Sequence, residues 1–191
     1  MILNFLRRVH GAWLFFLSGL RLLLPRCLGL RTGCDVRVGQ GIEWPLGNLQ
    51  NLELGNNVRL GKRGWFYLPL NNRKAKIHIG SGTEIGNEFV IASHDSVRIG
   101  SACLISFRVT IMDQTHATGW GVNPVTSGIT TPLPVKISDR CYIGCGVVIM
   151  AGVELGTNCI VGANSVVTRS FPDGAVISGS PARLLRLLAK Q

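Results

Sequence analysis

One histidine in this chain stands where proton transfer could be done. His116 closes the segment Ile111-Met112-Asp113-Gln114-Thr115-His116, immediately before the Gly-, Pro- and Thr-rich stretch 117–134. An irregular segment of that length in a compact fold is usually functional. A neutral imidazole accepts a proton near pH 7, which is what activating a hydroxyl nucleophile requires. Asp113, three residues earlier, could orient either a substrate or that imidazole. The plain alternatives are a solvated turn histidine and a solvated corner carboxylate. His10, His78 and His94 are scattered. Cys141 and Cys145 form the closest cysteine pair, and no second pair or histidine joins them. No metal centre is expected from such spacing.

The elements that must position these residues are legible as a six-residue beat. Ile137, Ile143, Ile149, Leu155, Val161 and Val167 recur without a slip, and Gly144, Gly156 and Gly162 follow three of them. The fifth place of each hexad is small or β-branched in Cys141, Val147, Val153, Cys159 and Ser165, with Phe171 the exception. This is the signature of a parallel β-helix, in which three short flat strands close a triangular coil around inward-facing aliphatic residues. Earlier beats fall at Val38, Leu54, Leu60, Ile79, Ile85, Ile91, Ile99, Ile105 and Ile111. The beat predicts an all-β body of about six coils over 31–178, starting near Val36. It is interrupted by a loop over 67–76, by a two-residue slip at Asp95–Arg98 and by the long loop 117–134. Past the last coil, Ser180 reads as an N-cap and Pro181 as a first helical residue. They predict a short basic amphipathic helix within 179–191.

Residues 1–30 differ from the rest. On a helix, Arg7, Arg8, His10, Ser18, Arg21 and Arg26 fall within an arc of roughly 160°. The other face carries Leu3, Leu6, Val9, Trp13, Phe16, Leu17, Leu20 and Leu24. Two readings of this amphipathic segment stand open: an interfacial membrane anchor over residues 1–28, and a cap on the open end of the coil stack or an oligomer contact. The apolar run is too short to span a bilayer, which takes roughly 20 residues. No small-x-small site follows it to mark a secretory signal.

Composition bounds the partners. The 191 residues carry 46% hydrophobic and 16% charged side chains, with 20 Lys+Arg against 10 Asp+Glu and a net charge of +10. The surplus suits an anionic membrane or a polyphosphate ligand. Nucleic acid is not expected, because no motif for it is present. Cys103, Cys141 and Cys159 hold fifth places of hexads, where small buried side chains belong. That placement predicts reduced thiols and a cytoplasmic protein.

The segment from Ile79 to Arg186 resembles the hexapeptide-repeat acetyltransferases that act on sugars, antibiotics and serine. The resemblance rests on an ordered set. Asp113-x-x-His116 and the loop are followed by Pro134-Val135-Lys136-Ile137-Ser138-Asp139-Arg140-Cys141-Tyr142-Ile143-Gly144. Then come Val148 to Gly156, Ile160 to Arg169 and Ser178-Gly179-Ser180-Pro181-Ala182-Arg183. The resemblance implies a left-handed coil, acetyl-CoA as acyl donor without a metal, His116 as general base and Asp113 beside the substrate. It also implies coenzyme contacts at Cys145, Ala163, Thr168, Arg169, Arg183 and Arg186, within a homotrimer whose sites lie between subunits. The acidic helical motif of the maltose and nodulation-factor enzymes and the long helical domain of serine acetyltransferases are missing. The expected reaction is therefore O-acetylation of a sugar in a surface polysaccharide or its lipid-linked precursor, at the inner face of the cytoplasmic membrane. The alternatives are N-acetylation of an amino sugar or antibiotic, a zinc-dependent carbonic-anhydrase-like protein, and a non-catalytic scaffold.

Overall fold

The aliphatic beat forms the inner wall of a left-handed parallel β-helix of about six coils. A computed structural model describes residues 16–189. The first coil carries β1 (Arg31–Thr32) and β2 (Arg37–Val38). The second carries β3 (Leu52–Leu54), β4 (Arg59–Leu60) and β5 (Trp65–Tyr67), and the third β6 (Lys76–Ile79), β7 (Glu84–Ile85) and β8 (Val90–Ala92). The fourth carries β9 (Ser96–Ile99), β10 (Leu104–Ile105) and β11 (Thr110–Met112), and the fifth β12 (Val135–Ile137), β13 (Tyr142–Ile143) and β14 (Val148–Ile149). The sixth carries β15 (Glu154–Leu155), β16 (Ile160–Val161) and β17 (Val166–Val167); β18 (Ala175–Gly179) and β19 (Ala182–Leu187) follow. Strands of successive coils stack into three walls, here called A (β1 to β15), B (β2 to β19) and C (β5 to β17).

The register matches like with like. Ile99 pairs with Ile137 and Ile137 with Leu155, Ile105 with Ile143, and Ile111 with Ile149. All six aliphatic residues of the late beat are buried, and so are the fifth-place residues from Cys141 to Ser165. The thiols of Cys103, Cys141 and Cys159 donate to the carbonyls of Ser138, Gly156 and Pro172 at 3.2, 3.1 and 3.2 Å. They are a structural ladder up one corner.

Two backbone constraints explain the remaining hexad places. A Cβ on Gly144 would lie 2.6 Å from the Ala163 nitrogen in the next coil. The residue after the aliphatic position is therefore glycine wherever coils approach this closely. The fourth place turns the corner in the left-handed region: Arg140, Gly146, Gly152, Asn158 and Asn164 have φ of 57°, 67°, 76°, 60° and 56°. Gly and Asn enter that region most readily.

An α-helix, α1 (residues 16–27), lies across the first coil. Leu22 packs into the core with Leu30, Val36 and Val38. Two members of the polar arc, Ser18 and Arg21, face the body, while Arg26 is exposed. Ser18 Oγ accepts the Val38 N–H at 2.7 Å, and the Arg21 guanidinium donates to the Val38 carbonyl at 3.1 Å. The reason is that β2 ends wall B, so Val38 has backbone groups that no further strand can pair. The portion of the amphipathic segment before residue 16, with Arg7, Arg8, His10 and Trp13, lies outside the described residues.

The C-terminal helix expected within 179–191 is not what forms. Ala182–Leu187 is a strand antiparallel to β18, with Gly179 opposite Ala182 and Ala175 opposite Leu187. Ser180 and Pro181, joined by a cis peptide, occupy the hairpin turn rather than a cap and a first helical turn. The open edge of β18 offers the tail a ladder of backbone bonds, and such context overrides a modest helix propensity.

Candidate active site

The long loop leaves wall C after β11 and returns to wall A at β12. Its feet are pinned together. The Leu133 N–H donates to the Asp113 carbonyl at 2.8 Å, Thr130 N–H to Thr115 O at 2.8 Å, and Ala117 N–H to Gly128 O at 3.0 Å. His116 sits inside this closure, opposite Ile129 in an antiparallel bridge. Its backbone is therefore fixed while its side chain is exposed. The loop tip stands clear of the body, with Trp120 and Val125 fully open to solvent.

Asp113 is placed differently from the expectation of a substrate-facing carboxylate. It is 0% exposed. Its carboxylate accepts the Ser93 hydroxyl at 2.8 Å, the His94 N–H at 2.8 and 3.0 Å, and the Asp95 N–H at 2.8 Å. The physical reason is the two-residue slip one coil below. There the Ser93 hydroxyl and the N–H groups of His94 and Asp95 turn inward, and inward-facing donors need an acceptor. Asp113 fills that need and clamps two coils together three residues before His116.

Sequence reasoning passed over His94. Its backbone rests on Asp113 and its ring lies 5.5 Å from that of Tyr67. Burial holds its imidazole below the usual histidine range; the Asp113 carboxylate opposes this, and nearby His116 adds to the lowering. The Nδ1 atom of His94 and the Oε1 atom of Gln114 are buried without hydrogen-bond partners. The signal available in the sequence was the slip itself, which marks the coil where the wall departs from regular stacking.

The residues expected at the coenzyme fall on two edges of wall C. Cys145, half-buried, and Ala163, exposed, stack on the B–C corner, where the Asn164 N–H donates to the Cys145 carbonyl at 2.8 Å. The turn before β19 is tied to the same corner by the Gly179 N–H on Ser165 Oγ at 3.1 Å. Arg183 follows that turn, opposite Ser178, and Arg186 lies opposite Val176. Thr168 and Arg169 follow β17 on the opposite edge, exposed, with the Arg169 guanidinium 5.1 Å from the centre of the Phe171 ring. His116 leaves the same C–A corner two coils lower, about 10 Å along the axis at the usual strand spacing.

One chain does not gather these residues into a pocket. Three surface hollows of about 390, 380 and 390 Å³ lie elsewhere on the walls, and neither His116 nor the six expected coenzyme residues line them. The arrangement is a strip along wall C, with an exposed imidazole at one end and small residues and cations at the other. Among the described residues no group of His, Cys, Asp and Glu is placed to hold a metal ion.

Known proteins resemble this chain in repeat and in fold. Residues 134–169 match the family described as bacterial transferase hexapeptide (six repeats). The chain is 28% identical over 173 residues to WbbJ of Escherichia coli strain K12, which is assigned as a lipopolysaccharide biosynthesis O-acetyl transferase; the match covers 87% of this chain and 82% of that one. It is 30% identical over 128 residues to the galactoside O-acetyltransferase of the same strain, covering 66% of this chain and 62% of the relative. Among solved structures, a hexapeptide-repeat acetyltransferase of Vibrio cholerae complexed with acetyl-coenzyme A superposes with a TM-score of 0.64 at 25% identity, over 90% of this chain and 78% of that one. Coil architecture, repeat signature and relatives coincide: the chain carries the bacterial transferase hexapeptide repeat and is similar to hexapeptide-repeat acetyltransferases in sequence and fold.

Proposed function

We propose that this enzyme transfers acetyl from acetyl-CoA to a hydroxyl of a sugar in a surface polysaccharide or its lipid-linked precursor. One observation carries the reading: an exposed imidazole on a backbone clamped at both feet of a long loop, at one end of a strip whose other end is cationic. Acetyl-CoA supplies the activation, as a thioester. The chain's residues fit it. Cys145 and Ala163 leave the B–C corner free of bulky side chains, and Arg169, Arg183 and Arg186 offer three exposed guanidinium groups for phosphates. The His116 imidazole takes the proton of the acceptor hydroxyl as that oxygen attacks, and returns a proton to the departing sulfur. A backbone N–H near the loop foot stabilises the developing oxyanion.

The enzyme works as a homotrimer in the cytoplasm, at the inner face of the membrane. An open strip on one prism becomes a cleft when a second prism faces it, and three-fold closure avoids open filaments. All six cysteines are free thiols, which suits a reducing compartment. Light scattering should give three times the 20.7 kDa chain mass; an active monomer at the assay concentration would refute the shared site.

Free-thiol release from acetyl-CoA across a panel of sugars, glycans and amino sugars tests the reaction. Release with hydroxyl acceptors is expected. Release only with amines would transfer the reading to N-acetylation, and none at all from a folded trimer would leave a scaffold. Replacing Arg169, Arg183 or Arg186 by Gln should raise the Michaelis constant for acetyl-CoA about tenfold or less, with turnover little changed. The opposite pattern would move these residues into the reaction centre.

A further inference from the structure

Helix α1 presents an apolar stripe to solvent on the side away from the body. Leu20, Leu23 and Leu24 are 47%, 56% and 65% exposed, and Leu28 just beyond the helix is 49% exposed. The spacing i, i+3, i+4 puts the three helical residues on one face. This is not a helix that failed to find its core. Its opposite face is engaged, with Ser18 and Leu22 buried and Arg21 bonded to Val38. The same helix therefore caps the solenoid with one side and holds a second surface ready on the other.

Charge says what that surface meets. From residue 16 to residue 32 the charged side chains are Arg21, Arg26 and Arg31, and no Asp or Glu occurs. Arg26 and Arg31 are exposed, and Arg26 is held in place by its Nε donating to Thr32 Oγ1 at 2.8 Å. An apolar stripe on a segment with exposed Arg26 and Arg31 and no acidic residue is complementary to acyl chains beneath anionic headgroups. A second copy of the same face would instead bring like charges together. A helix with one engaged and one apolar face suits lying in the interface. Among the described residues no helix is long and apolar enough to cross a membrane.

We infer that the outer face of α1 docks this enzyme on an anionic phospholipid surface. The helix covers the first coil, so the solenoid stands on the bilayer by its N-terminal end. Wall C then rises from the surface, and the coil that ends in His116 lies three coils up, about 14 Å at the usual strand spacing. A saccharide attached to a lipid carrier reaches that height while acetyl-CoA enters from solution. In a trimer with parallel prisms, three such helices share one plane, and weak single contacts add through effective concentration. The inference extends the proposed acceptor class, but its test does not depend on catalysis.

The test is sedimentation of the full chain with vesicles of phosphatidylcholine alone or with phosphatidylglycerol added, at low and high salt. The variant Leu20→Gln, Leu23→Gln, Leu24→Gln changes only the outer face and leaves Ser18, Arg21 and Leu22 in place. The native protein should sediment with phosphatidylglycerol vesicles at low salt, less at high salt, and little with phosphatidylcholine. The variant should lose at least tenfold in partitioning while keeping its melting temperature and its mass by light scattering. Three results would overturn the inference: native protein that ignores anionic vesicles at low salt, a variant that sediments as well as the native chain, or a variant of smaller oligomeric mass. The last would make the stripe a subunit contact. Thiol release is measured separately on soluble acceptors, so failure of docking and failure of the acetyl-transfer reading are told apart.

Discussion

His116→Ala is expected to lower turnover by at least about a hundredfold, the usual contribution of a positioned general base. The substitution is a clean one. The side chain is exposed, and the bridge to Ile129 is made by backbone, which alanine preserves. Stability should therefore change by no more than about 0.5 kcal/mol, as for most surface positions. The Michaelis constant for acetyl-CoA should hold, since the small residues and cations of the far end are untouched. His116→Asn should be no better, because an amide cannot carry a proton between acceptor and leaving sulfur. Near-native turnover in either folded variant would remove His116 from the mechanism.

Asp113→Ala should have the largest effect on stability of any substitution near the site. It leaves the Ser93 hydroxyl and the N–H groups of His94 and Asp95 without their acceptor. Each buried group left unpaired costs about 1–3 kcal/mol. A loss of about 3–5 kcal/mol follows, which lowers the melting temperature by roughly 10 °C in a chain of this size. Asp113→Asn keeps the shape but turns an amide donor toward other donors, so an intermediate loss is expected. Because Leu133 returns onto the Asp113 carbonyl, the loop foot should shift with it. Assayed well below its melting temperature, the Asn variant should show turnover reduced about tenfold at an unchanged acetyl-CoA Michaelis constant. A lower melting temperature with native turnover would confine Asp113 to a structural role.

The coil stack was legible because its cause is periodic. Ile137, Ile143 and Ile149 must face one axis, and a one-residue slip would turn every side chain outward. His116 stands out in the sequence because it lies where the period ends, and the structure places it at the foot of the loop. What escaped the sequence is what depends on a neighbour in space. The inward carboxylate of Asp113 answers three donors from residues 93–95, eighteen to twenty positions away. The tail read as a helix because Ser180-Pro181 and four leucines suit one locally, whereas the free edge of β18 exists only once six coils have stacked. Within α1, Ser18 and Arg21 turn inward and Arg26 does not, which the sequence could not show because the unpaired groups of Val38 are invisible before β2 is known to end its wall.

The two ends of the solenoid also govern whether copies add to one another lengthwise. A stack of parallel strands has a bare rung at top and bottom, each a template for another stack of the same sense. Here α1 places Ser18 and Arg21 over the bottom rung of wall B. At the top, β19 runs antiparallel to β18, so the last rung of wall B offers the wrong direction to an incoming first coil. Wall B is thus closed at both ends, by a side-chain plug at the bottom and by a reversal of polarity at the top, so lengthwise addition of a second copy finds no matching rung on that wall.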